Sequence, residues 1–260
     1  LRGVMTAVIH VSGPSRDLHS GSYGGTVHNP AQAIAEIVAA LHDEQGRVAI
    51  LGFYEDVQPL TEAERVSLKN LPYSDEQWQR ETGAPEAWGD DRYTILERIT
   101  ALPTCEVNGI WGGVNGDKMK TIIPAMAGAN LSLRLVANQD PEKIGQQLKA
   151  YVHAITPPTV KVSVKVGSGG AKAAVTPYNS PFITAAQTAY RHGWQAEAHI
   201  SRAGGSLPIV ATFQDILGCP FVLMPFGLDD NRHSPNEHYH LSHLRKGMAT
   251  AVHFYYELAK

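Results

Sequence analysis

Four short stretches carry side chains that could do chemistry. In "DLHSGSYGG" (17–25), His19 follows a carboxylate and precedes a serine and three glycines. Its imidazole could ligate a metal, move a proton or donate a hydrogen bond. A polar turn, with Asp17 or Ser20 bonding backbone and the glycines at positive φ, explains the same spacing and is favoured on spacing alone. In "GGVNGDKMKTIIPAMAGANLSLRLV" (112–136), Lys120, Thr121 and Arg134 stand beside apolar strands. Arg134 lies between Leu133 and Leu135, so on an alternating strand it shares a face with Ser132. It could sit on a solvated face, or it could aim a bidentate fork at a carboxylate.

The third stretch, "SRAGGSLPI" (201–209), is a glycine pair running into a helix start. Such a turn presents backbone N–H groups that suit an anion, and Ser206 is also an ordinary N-cap. No G-x-S-x-G occurs, which excludes a nucleophile elbow. The fourth, "FGLDDNRHSPNEHYHLSH" (226–243), puts His233 in an Asp- and Asn-rich loop after an apolar run. Loops after strands are where α/β folds place function. His238, His240 and His243 follow; three imidazoles can hold one zinc, but exposed decoration of a helix start is the better reading.

Elements must hold these residues in place. "VMTAVIHV" alternates and reads as a strand. "NPAQAIAEIVAALHDEQG" is a helix capped by Asn29, with Pro30 at its first position and Gly46 past its end. "VAILGFY" is a short strand or loop. Residues 56 to about 101 form a polar excursion of short helices, with a Thr61/Glu64 capping box. "CEVNGIWGG", "TIIPAM" and "GANLSLRLVANQ" read as strands, "DPEKIGQQLKAYVHAI" as a helix capped by Asp140, and "TVKVSVKV" as a strand with one wet face. The order predicts an α+β unit over 1–167: an antiparallel sheet with two helices on one face in split βαβ order. After a Gly-rich linker, 168–260 reads as the end of an α/β domain. Its predicted elements are a helix over 181–192, a strand over 197–200, a helix from Ser206, a strand "CPFVLMPFG" and a last helix from Ser242. That is too little chain for a parallel sheet to stand alone, so a piece of something longer is expected.

The composition is ordinary for a globular protein: 260 residues, 43% hydrophobic, 18% charged, net charge -3. No charge excess favours nucleic acid or an anionic membrane, and no apolar run approaches the ~20 residues of a membrane helix. Two separated cysteines, Cys105 and Cys219, fit a reducing, cytoplasmic setting.

Taken together and in order, the four stretches resemble the M20 metallopeptidases, in the branch of the carnosinase-like dipeptidases. The likeness spans essentially the whole chain. It implies a lid and dimerisation domain at 1–167 and the last segment of a metallohydrolase domain at 168–260. His19 would reach across a homodimer formed through the lid and steady the scissile carbonyl oxygen. Arg134 would grip the substrate's terminal carboxylate, Thr121 would touch substrate, and Arg202, Gly204, Gly205 and Ser206 would line the pocket. His233 would ligate the second of two divalent ions, zinc foremost, with manganese or cobalt also suitable.

The parent would hydrolyse a peptide or amide bond beside a free carboxylate. An N-acyl amino acid deacylase and a non-catalytic dimerisation module are the alternatives. The family's H-x-D pair, bridging aspartate and Glu-Glu doublet find no counterpart in the sequence. The chain on its own is therefore expected to be inactive and to hold no catalytic metal pair.

Overall fold

The computed structural model describes residues 1–114, 119–228 and 234–260. Its contacts divide the chain into two interleaved units: 1–60, 73–174 and 202–211 in the first, and 61–72, 175–201 and 212–260 in the second.

The first unit begins with β1 (Gly3–Ser12), β2 (Leu18–His19) and the short α1 (Ser20–Tyr23), followed by α2 (Pro30–Ala39). After α3 (Glu62–Lys69), which belongs to the second unit, come α4 (Asp75–Thr82) and α5 (Ile95–Ala101). β3 (Thr104–Gly112), β4 (Ile122–Ile123), β5 (Met126–Leu135), α6 (Pro141–Ile155) and β6 (Lys161–Val166) complete it. Four strands form one sheet in the order β3-β5-β1-β6, every neighbour antiparallel. Leaving aside the two-residue strands, this is the split βαβ order.

Alternation drives the layering. Met5, Ala7, Ile9 and Val11 of β1 face one way, with Ala127, Ala129, Leu131, Leu133 and Leu135 of β5 beside them. Ala33, Ile34 and Ile37 of α2 and Ile144, Leu148 and Val152 of α6 close over that face. The helical residues recur at three- and four-residue spacing, which is a single apolar stripe on each helix. Each buried Leu or Ile side chain is worth about 1.5–3 kcal/mol over exposure. The caps fall where expected: Asn29 accepts from the Ala31 N–H, and Asp140 from the Glu142 and Lys143 N–H groups. α2 stops at Ala39, earlier than its pattern suggested; the chain turns there, and His42 and Val48 pair in an isolated bridge.

The second unit contains α3, most of α8 (Pro208–Leu217), α7 (Pro181–Gly193) and α9 (Leu241–Leu258). The Thr61/Glu64 capping box is formed at α3. Two sequence expectations fail here. Neither 197–200 nor 219–227 is a strand, and the described residues of this unit contain none. A strand exists only through its ladder, and among the described residues neither segment belongs to one. Pro220 and Pro225 also remove two donors from the second segment. Helix α8 starts at Pro208 rather than Ser206, because the proline takes the first helical position and moves the cap to Leu207, whose carbonyl accepts from the Val210 N–H.

Candidate functional site

The first unit gathers the sequence's candidates into two groups. The first group stands where β2 meets β4. His19 pairs with Ile122 and Leu18 with buried Ile123, and the Ser20 N–H donates to the Thr121 carbonyl at 2.9 Å. This brings His19 and Thr121 together, both exposed. Asp17 does bond backbone: its Oδ1 accepts from the Ala125 N–H at 2.8 Å, while the Gly13 N–H donates to the Ala125 carbonyl. The loop after β1 is thereby fastened to the start of β5. His19 is the N-cap of α1, its Nδ1 accepting from the Gly21 N–H at 3.0 Å.

The second group stands at the opposite end of the same strands. Arg134 pairs with Val4 on β1 and Thr104 on β3, on the sheet face away from the helices, as its alternation with Leu133 and Leu135 requires. Its Nη1 donates to the Ser206 hydroxyl at 2.8 Å, which in turn donates to the Gly3 carbonyl at 3.1 Å. Ser206 is thus spent on the strand rather than on a helix cap. Gly204 packs so closely that a Cβ there would sit 2.3 Å from the Ile99 carbonyl oxygen. Half-buried Arg202 belongs to the same turn, and Gly205 is exposed.

Sequence reasoning missed Arg2. Its N–H donates to the Gly205 carbonyl, Nε to the Gly204 carbonyl at 2.8 Å and Nη1 to the Leu102 carbonyl at 3.2 Å. The glycine turn thus offers carbonyls to an arginine here. Burial, helped by repulsion from Arg134 and opposed by Glu106, pushes the Arg2 guanidinium down to about 10, so it stays charged at neutral pH. An arginine two residues ahead of an apolar strand was the only sequence signal. Arg2, Arg134, Ser132 and Glu106 help line a cavity of about 710 Å³, together with Tyr54 and with Trp88 and Arg92 of the excursion. Paired guanidinium groups beside a hydroxyl suit a carboxylate.

The eight strand steps from Met126 to Arg134 span about 26 Å, and Met126 adjoins the His19–Thr121 end. The two groups of one chain cannot meet on one small substrate.

His233 lies outside the described residues. Among those described, no group of three or more His, Cys, Asp or Glu side chains could hold a metal ion. His238, His240 and His243 have ring contacts in sequence, at 5.7 and 5.1 Å between centroids, without forming such a group.

A fold of this order with polar groups at both sheet ends has known counterparts. The chain belongs to the M20 peptidase dimerisation-domain family, whose pattern matches residues 1–160. The Cys-Gly metallodipeptidase DUG1 of Saccharomyces cerevisiae is 33% identical over 255 residues, covering 96% of this chain and 53% of that protein. The human Beta-Ala-His dipeptidase is 26% identical over 268 residues, covering 100% and 52%. The M20 family metallo-carboxypeptidase Sso-CP2 of Sulfolobus solfataricus superposes with a TM-score of 0.84 at 30% identity, covering 98% of this chain and 58% of that one. The chain spans about half the length of the curated relatives it matches. No helix among the described residues is long and apolar enough to cross a membrane.

Proposed function

We propose that this chain is the clamping and dimerising part of an M20 dipeptidase, acting on a peptide bond next to a free carboxylate. In this reading 1–167 is the lid, 168–260 is the closing segment of the hydrolase domain, and the lids of two copies join. Arg134, with Ser206 beside it and the Gly204–Gly205 turn behind it, takes the substrate's terminal carboxylate. Arg202 borders the same pocket. His19 and Thr121 serve the other copy's substrate, His19 donating to the carbonyl oxygen as negative charge develops there. His233 is the one residue assigned to a metal. The remaining ligands and the water-activating base belong to chain that the relatives possess and this sequence does not match, so the piece alone is inactive.

The separation of the two groups along β1 and β5 carries this reading. A peptide touching Arg134 needs its carbonyl donor from elsewhere, and a two-fold partner supplies it without any change of fold. The experiment is mixing. In a protein carrying both halves, His19→Ala and Arg134→Ala should each be nearly inactive, while their mixed dimers regain one intact site. Random pairing should return roughly a quarter of wild-type activity. A mixture as inactive as its components overturns the reading.

A further inference from the structure

We propose that Asp17 and Gly21 are positioning residues that hold the His19 ring as a neutral donor with its proton on Nε2. This rests on the reading that His19 meets a substrate carbonyl. A backbone N–H can only donate, and the Gly21 N–H points at His19 Nδ1 at 3.0 Å. Nδ1 must therefore carry a lone pair, which leaves the ring proton on Nε2, the nitrogen not engaged by the loop. A ring protonated on Nδ1 would face that amide donor to donor.

Gly21 is required for the contact as well as making it. A Cβ at that position would lie 2.9 Å from His19 Cε1 and 3.1 Å from Nδ1, so any side chain pushes the ring out of its place. Asp17 acts one step back. Its carboxylate takes the Ala125 N–H at 2.8 Å and so ties the segment ahead of His19 to the start of β5. The Ser20 N–H bond to the Thr121 carbonyl ties the segment behind. Between these two fastenings, His19 holds extended backbone angles, φ -68 and ψ 121. One hydrogen bond of ordinary net strength biases the two tautomers by roughly fivefold, and the fastened loop keeps that bond formed.

The test is long-range proton–nitrogen correlation NMR of the ¹⁵N-labelled chain, above the pH at which its imidazole signals cease to move. His19 should show an unprotonated Nδ1 and a protonated Nε2. Asp17→Asn keeps an oxygen acceptor and should preserve the pattern. Asp17→Ala and Gly21→Ala should yield averaged shifts of a tautomer mixture, with the methyl spectrum of the core unchanged. If Gly21→Ala fails to fold, the Asp17→Asn and Asp17→Ala pair still decides. A wild-type ring with its proton on Nδ1, or Asp17→Ala with an unaltered ring, overturns the proposal. A locked ring in a protein whose His19→Ala variant keeps its full rate overturns the catalytic reading beneath it instead.

Discussion

At the scale of single residues, charge placement decides what each group can do. Arg134 donates through Nη1 to one neutral hydroxyl, and it stands close enough to Arg2 for the two guanidinium groups to repel each other. A carboxylate arriving there would gain a charge-assisted pair. Arg134→Ala in a protein carrying both halves should therefore raise KM for free-acid dipeptides at least tenfold and leave C-terminally amidated ones nearly unaffected. Steady-state kinetics on matched acid and amide substrates checks this; equal losses on both would remove Arg134 from carboxylate binding. His19→Ala should act differently, lowering kcat by roughly 10²-fold or more, the scale of a lost carbonyl-oxygen donor. Arg2 is structural by comparison. Removing it in Arg2→Ala leaves the Gly204 and Leu102 carbonyls without their donor and should cost about 2–4 kcal/mol in urea unfolding.

At the scale of elements, strength of local pattern separates what the sequence told from what it hid. β1 and β6 alternate along their length, β5 alternates from Asn130 onward, and α2 and α6 carry Asn29–Pro30 and Asp140–Pro141 at their starts, so all five were legible. The short segment 197–200 and the apolar segment 219–227 were expected as strands but lacked a ladder, a property of neighbours and not of the segment. The site shows the same division. Arg134's face followed from alternation, whereas its bond to Ser206, 72 residues away, depends on the path of the chain. So does the meeting of His19 with Thr121.

The excursion was legible only as polar short helices; what orders its end is electrostatic. Buried Asp90 takes a two-pronged bond from Arg92, with Arg47 at 3.8 Å. The Arg92 bond outweighs desolvation and holds the Asp90 carboxyl at about 2, against about 3.9 in an unfolded chain. Since the folded value is the lower one, the stabilisation is complete above about pH 4 and disappears as pH falls toward 2. Asp90→Asn should thus destabilise the protein at pH 6, and the gap from wild type should narrow steadily below pH 4. Urea midpoints of both proteins across that range test it; a gap independent of pH would mean that the pair contributes nothing.

At the scale of the whole molecule, the uneven distribution of apolar surface is the governing fact. In the first unit α2 and α6 seal their apolar stripes onto the sheet. On α9, Leu241, Leu244, Met248, Val252 and Tyr255 form an outward stripe, with Leu241 76% and Tyr255 73% exposed. On α8, Ile209, Phe213 and Ile216 form another, Ile216 reaching 75%. Stripes at three- and four-residue spacing are what helices show when they pack on something, and exposed patches of this kind mark an interface. The relatives carry nearly as much chain again, and in the proposed reading that chain covers both helices. The chain by itself should then bind a hydrophobic dye strongly and self-associate beyond a dimer in sedimentation velocity. Leu244→Glu with Met248→Glu on α9 should reduce both, without lowering the unfolding midpoint, because neither side chain is buried. A chain that sediments as a clean dimer with no dye binding would mean that these stripes need no cover, and the assignment of 168–260 to an incomplete hydrolase domain would lose its physical support.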